Sequence, residues 1–167
     1  MKLSTAIKST APVAVLGLLA LVLAPTPAAA TTATTTFAVS ATVQATCSVT
    51  ATAMAFGTYA STAASNSTST VSVSCTNTTP FTIGLDAGLT AGATVTTRQM
   101  KNGSALLNYS LYSDSGRTTN WGNSTGSWVS GTGDGTAQAL TVYGQVPTGQ
   151  YVTPGSYTDT ITATVTY

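Results

Sequence analysis

Residues 34–49 read TTTFAVSATVQATCSV. Phe37, Val39, Ala41 and Val43 alternate with Ala38, Ser40, Thr42 and Gln44. A period of two places the apolar set on one face of an extended strand. This strand lies just before the first cysteine, Cys47. It can complete its own sheet, or it can be lent to a sheet of a neighbouring molecule. The reading adopted is that it is lent; the alternative is a self-contained sandwich that pairs the strand in place.

The composition around this stretch favours strands throughout. The chain has 167 residues, which suits one domain. Only 5% of residues are charged while 43% are hydrophobic, so a core can form beneath an almost uncharged surface. Thr, Ser, Ala, Gly and Val dominate. Branching at Cβ restricts χ1 in Thr and Val and suits them to a pleated surface. Leu, Lys and Arg are scarce and Glu is absent, so helices lack their usual material. The expected class is all-β.

Upstream, residues 1–30 have the build of an export signal. Lys2 and Lys8 precede an apolar run from Ala11 to Ala24. That run is shorter than the ~20 residues needed to span a bilayer. Pro25 and Pro27 break it, and Ala28-Ala29-Ala30 offers a small-residue cleavage site, so the exported chain is expected to begin at Thr31. Beyond residue 30, Arg98, Lys101 and Arg117 stand against Asp86, Asp114, Asp134 and Asp159. No basic patch serves nucleic acid or anionic lipid. A net charge near zero favours self-association.

Export decides how the cysteines read. Cys47 and Cys75 are the only two, in a chain bound for an oxidising compartment, so a disulfide is expected. It is worth roughly 3–4 kcal/mol through loop entropy. With no His, no Glu and four scattered Asp, no catalytic triad, metal cluster or phosphate loop can be assembled, and no cofactor is expected.

From Cys47 onward, about seven strands alternate with turn signals, the pattern of a small sandwich. The first runs to a turn near Gly57. Residues 60–69 are small and polar and read as a loop. Val71, Val73 and Cys75 share a face, as do Phe81, Ile83 and Leu85. Residues 94–100 read as a polar strand, closed by a tight turn at Lys101-Asn102-Gly103. Leu107, Tyr109 and Leu111 alternate next, then Leu140 and Val142, then Ile161, Ala163, Val165 and Tyr167. Residues 118–136 read as a loop carrying Trp121 and Trp128. These tryptophans either plug the core, the preferred reading, or form a sugar-stacking platform.

The order of short motifs narrows the choice further. After the alternating strand and Cys47 come Phe56-Gly57, Val73-Ser74-Cys75-Thr76 and Asn108-Tyr109-Ser110-Leu111-Tyr112. A turn from Asp114 to Arg117, Trp121-Gly122 and Val142-Tyr143-Gly144 follow. Pro154-Gly155-Ser156-Tyr157-Thr158-Asp159-Thr160 then leads into the closing strand. This series resembles the spore coat U domain family and, within it, the major pilin subunits of archaic chaperone–usher pili.

The resemblance implies an incomplete immunoglobulin-like sandwich that lacks its last strand. Residues 1–30 would then be the signal, 31–46 a donor extension and 47–167 the sandwich domain. The resemblance makes Phe37, Val39, Ala41 and Val43 the donor residues and Cys47–Cys75 the family disulfide. It implies a periplasmic chaperone, an outer-membrane usher and other pilin copies as partners, in a surface fibre for attachment and biofilm formation. The alternative is a secreted β-sandwich binding module, an adhesin or carbohydrate binder.

Overall fold

A computed structural model describes residues 27–167. Residues 1–26, which hold most of the expected export signal, lie outside the described residues. The chain divides into two units, Met1–Ser40 and Ala41–Tyr167. The described part of the first, residues 27–40, forms no regular element and is exposed throughout.

The second unit is all-β. Its strands are β1 (Cys47–Ala51), β2 (Ser65–Cys75), β3 (Pro80–Leu85), β4 (Arg98–Asn102), β5 (Ala105–Tyr112), β6 (Val129–Thr132), β7 (Ala137–Val146) and β8 (Ala163–Thr166). They form a five-stranded sheet in the order β1-β2-β7-β5-β4 and a three-stranded sheet in the order β6-β3-β8. Every pairing is antiparallel. The alternation read from the sequence points the expected residues inward. Val71, Val73, Cys75, Phe81, Ile83, Leu85, Leu107, Tyr109, Leu111 and Val142 are all buried, while Leu140 is only partly buried. The two inner faces pack on each other as an immunoglobulin-like sandwich.

Several boundaries differ from the sequence reading, each for a local reason. Ser65–Ser69 belong to β2 rather than to a loop, because their backbone pairs with β7 from Ser65↔Val146 to Ser69↔Val142. Small polar residues carry no hydrophobic period, so nothing in their pattern reveals a strand held by its neighbour. The stretch 118–136 contains β6, a short strand laid on β3 through Ile83↔Val129 and Phe81↔Gly131. The polar strand begins at Arg98, because Thr94 and Thr97 exchange both backbone hydrogen bonds at 3.1 Å in a turn of their own. Gly103 has φ +59°, as the Asn-Gly turn requires.

The opening stretch itself carries no strand pairing up to residue 46. Its last residue before the fold is anchored: Thr76 N donates to Thr46 O at 3.0 Å, and Thr46 N donates to Thr76 Oγ1 at 3.2 Å.

Candidate functional site

β1 and β8 are edge strands on the same side of the sandwich, one from each sheet. Their continuations, residues 52–56 and 157–162, do not pair with each other. A groove opens between them. One part has a volume of about 390 Å3 and is lined by Met54, Phe56, Leu85, Tyr109, Leu111, Val142 and Ile161, among others. A second part of about 870 Å3 continues toward Tyr59, Leu107, Val146 and Val152.

The groove walls are apolar side chains that the fold leaves half covered. Met54, Phe56, Tyr157, Ile161 and Ala163 pack against the core yet remain only partly buried. The inward residues of central strands are sealed: Ile83 is 0% and Val73 1% exposed. The contrast locates the missing layer beside the edge strands, between the two rims. Gly144 on β7 leaves room for this wall, since a Cβ there would collide with the side chains of Met54 and Phe56. The Phe56 ring meets the Tyr109 ring edge-on, with centroids 6.0 Å apart.

The C-terminal rim is tied to both sheets. Lys101 N donates to Thr158 O at 2.9 Å and Thr158 N to Lys101 O at 3.1 Å, which joins it to β4. Asp86 N donates to Thr162 O at 3.1 Å, and Thr162 N donates to Asp86 Oδ1 at 2.9 Å, which joins it to β3. Between these anchors sits Asp159, the only charged residue among the described residues that line the smaller part of the groove. Its carboxylate is fully engaged. It accepts from Tyr109 Oη at 2.7 Å, Leu89 N at 2.9 Å and Thr160 N at 2.8 Å. Burial first, and then the bond to Asp159, push the Tyr109 phenol well above its ordinary range. The groove therefore offers apolar surface and spare main-chain groups around the hydrogen-bonded carboxylate of Asp159.

Below the groove, Arg98 is completely buried. Its guanidinium donates to Asp86 O, Val95 O and Trp121 O, each at 2.7 Å, and to Leu85 O at 3.0 Å. Burial lowers its pKa, while Tyr109, Asp86 and Asp159 oppose that shift. No sequence signal marked this residue, because a lone arginine in a polar stretch reads as surface.

The residues singled out from sequence fall into three groups. Cys47 and Cys75 are joined, with an S–S distance of 2.01 Å, between paired positions of β1 and β2. Phe37, Val39 and Val43 are 85%, 84% and 84% exposed, and Ala41 is exposed as well. The two tryptophans separate: Trp121 is 1% exposed and its Nε1 donates to Ile83 O at 2.9 Å, whereas Trp128 lies at the surface. Trp121 is thus a core plug, and the two-tryptophan sugar platform does not form. Met54 escaped notice; only the Phe56-Gly57 and Pro154–Thr160 motifs hinted at the rims.

A disulfide-stapled, all-β immunoglobulin-like sandwich with an open apolar groove defines the class of this protein. The profile of the Spore Coat Protein U domain matches residues 33–164, and the chain belongs to that family. It is 40% identical over 99 residues to "Protein U" of Myxococcus xanthus, covering 56% of this chain and 55% of that protein. It is also similar to a chain in the crystal structure of a chaperone–tip adhesion subunit pre-assembly complex, CsuC–CsuE, from the archaic chaperone–usher Csu pili of Acinetobacter baumannii. That likeness has a TM-score of 0.58 and 26% identity, and covers 75% of this chain and 40% of the other. The chain thus spans about half the length of the relatives it matches.

Proposed function

We propose that this chain is a structural, non-enzymatic pilus subunit that polymerises by strand donation. Residues 31–46 of one copy fill the groove of the next, with Phe37, Val39, Ala41 and Val43 facing its floor. The observation that carries this reading is the open groove, whose flanking side chains are half buried where a complete sandwich would seal them. An exposed arm of matching two-residue period supplies what the groove lacks. Strand addition of this kind takes affinity from main-chain bonds and specificity from alternate side chains. Burying Phe37, Val39 and Val43 contributes roughly 1.5–3 kcal/mol each.

Giving and accepting a strand through different surfaces makes the contact head-to-tail, which builds a filament rather than a closed ring. Before assembly, the exposed edge needs a temporary cover, since an open apolar edge invites aggregation. A periplasmic chaperone fits that need, and an outer-membrane usher would exchange it for the next subunit's arm. The likeness to a chain of a chaperone–subunit complex supports this route. The finished fibre would stand on the cell surface and serve attachment and biofilm formation.

The test is a thermal melt of the exported domain lacking residues 31–45, that is, residues 46–167, with and without a synthetic peptide of residues 34–45. The truncated domain is expected to be unstable and to gain many degrees when the peptide fills the groove. A cooperative melt that ignores the peptide would mean a complete sandwich and would overturn strand donation.

A further inference from the structure

β2 changes character halfway along. Its inward positions are Ser65, Ser67 and Ser69, and then Val71, Val73 and Cys75. The last three are buried core residues, while the serines are half buried and contribute no comparable apolar surface. Their hydroxyls have another use. Ser65 Oγ donates to Phe56 O at 2.7 Å, Ser67 Oγ donates to Ala55 O at 2.7 Å, and Ser69 Oγ donates to Thr52 O.

These bonds begin where a ladder ends. β1 and β2 pair backbone to backbone as far as Ala51↔Val71. One further bond follows, from Thr52 N to Thr70 O at 2.9 Å. Had the ladder continued in register, Ala53 and Ala55 would point inward and Met54 and Phe56 outward, because the side-chain period is two. The structure has the opposite phase: Met54 and Phe56 are half buried against the core, and Ala53 and Ala55 are exposed. The side-chain phase of the rim is reversed relative to β1. Its carbonyls can no longer reach the β2 backbone, and serine hydroxyls take them instead. The N–H groups from Ala53 to Phe56 have no backbone acceptor among the described residues.

We infer that Ser65, Ser67 and Ser69 are positioning residues for the arm. They act as spacers that stop residues 52–56 from zipping onto β2. They hold the phase that turns Met54 and Phe56 into the groove, and they leave the rim's N–H groups for an incoming strand. Hydroxyls suit this role because each reaches one carbonyl without extending the ladder. The inference rests on the strand-acceptor reading of the groove.

The test uses the full chain and a fluorescent synthetic peptide of residues 34–45, followed by anisotropy. S65A/S67A/S69A is expected to raise the peptide's dissociation rate at least tenfold while the disulfide and a cooperative melt persist. Ser67→Thr, which keeps the hydroxyl, is expected to dissociate as the wild type does. Thr68→Ala, on the outward face of the same strand, is expected to change nothing. Should the triple variant not fold, Ser67→Ala alone is expected to raise the rate about threefold. Wild-type dissociation from the alanine variants would overturn the spacer role and leave strand donation standing. A wild-type chain that binds no peptide even where it is monomeric would overturn both.

Discussion

Arg98 donates to four main-chain oxygens that face inward at the top of the core. Its planar fork spreads donors over several directions, whereas a lysine ammonium presents three from one point. Arg98→Lys is therefore expected to strand at least one buried carbonyl, and to lower unfolding free energy in urea by on the order of 3 kcal/mol. One of the four oxygens belongs to Trp121, whose own indole N–H reaches across to Ile83 O. The two residues thus tie the loop after β5 to β3. The role of Arg98 was not legible in the sequence, because a lone arginine among polar residues gives no period; Trp121 was read as a core plug in preference to a sugar platform, and its 1% exposure bears that out. Cys47 and Cys75 were legible, because in an exported chain two cysteines leave a single intramolecular pairing.

At the scale of elements, alternation carried the reading in the strands that build the core, though Tyr167 at the end of the closing strand is 58% exposed. Val71 to Cys75, Phe81 to Leu85 and Leu107 to Leu111 all sit as their period demands. It failed where hydroxyls replace hydrophobes, as in the first half of β2, and where a short strand holds only Val129 as an anchor. The groove was only half legible. Its missing partner followed from a resemblance, whereas the reversed phase of its rim is a change that Ala-rich sequence hides. The arm is the element whose chemistry is easiest to probe. Phe37→Asp would bring a second carboxylate to a groove whose smaller part holds Asp159 alone. Burying an unpaired charge is strongly unfavourable. The variant is expected to cut multimer yield in size-exclusion chromatography more than tenfold. Its own groove should still accept wild-type peptide.

For the molecule as a whole, scarcity of charge makes acid a mild perturbant with a few identifiable targets. Asp114 accepts from Thr119 N at 2.6 Å and from Thr118 N at 3.1 Å. Asp134 accepts from Thr136 N and Thr136 Oγ1, each at 2.8 Å. Those backbone bonds hold both carboxyls below the usual range. A depressed folded-state pKa stabilises above the unfolded value and is lost as pH falls through the folded one. The melting temperature is thus expected to stay flat down to about pH 5 and to decline below about pH 4. Asp114→Asn with Asp134→Asn should flatten part of that decline. The Cys47–Cys75 bond has a mechanical consequence as well. In a fibre held together by arms, tension enters each subunit at Thr46, the root of the arm. A load applied there would peel β1 from β2 one rung at a time. The covalent bolt lies at the first rung, Cys47↔Cys75, so the pull bypasses that ladder and passes directly into β2. β2 is backed along most of its length by β7, so the force spreads across the sheet. Under stretch, the part expected to yield first is then the non-covalent seat of the arm, and a fibre built this way would come apart between subunits before any one of them unravels from its root.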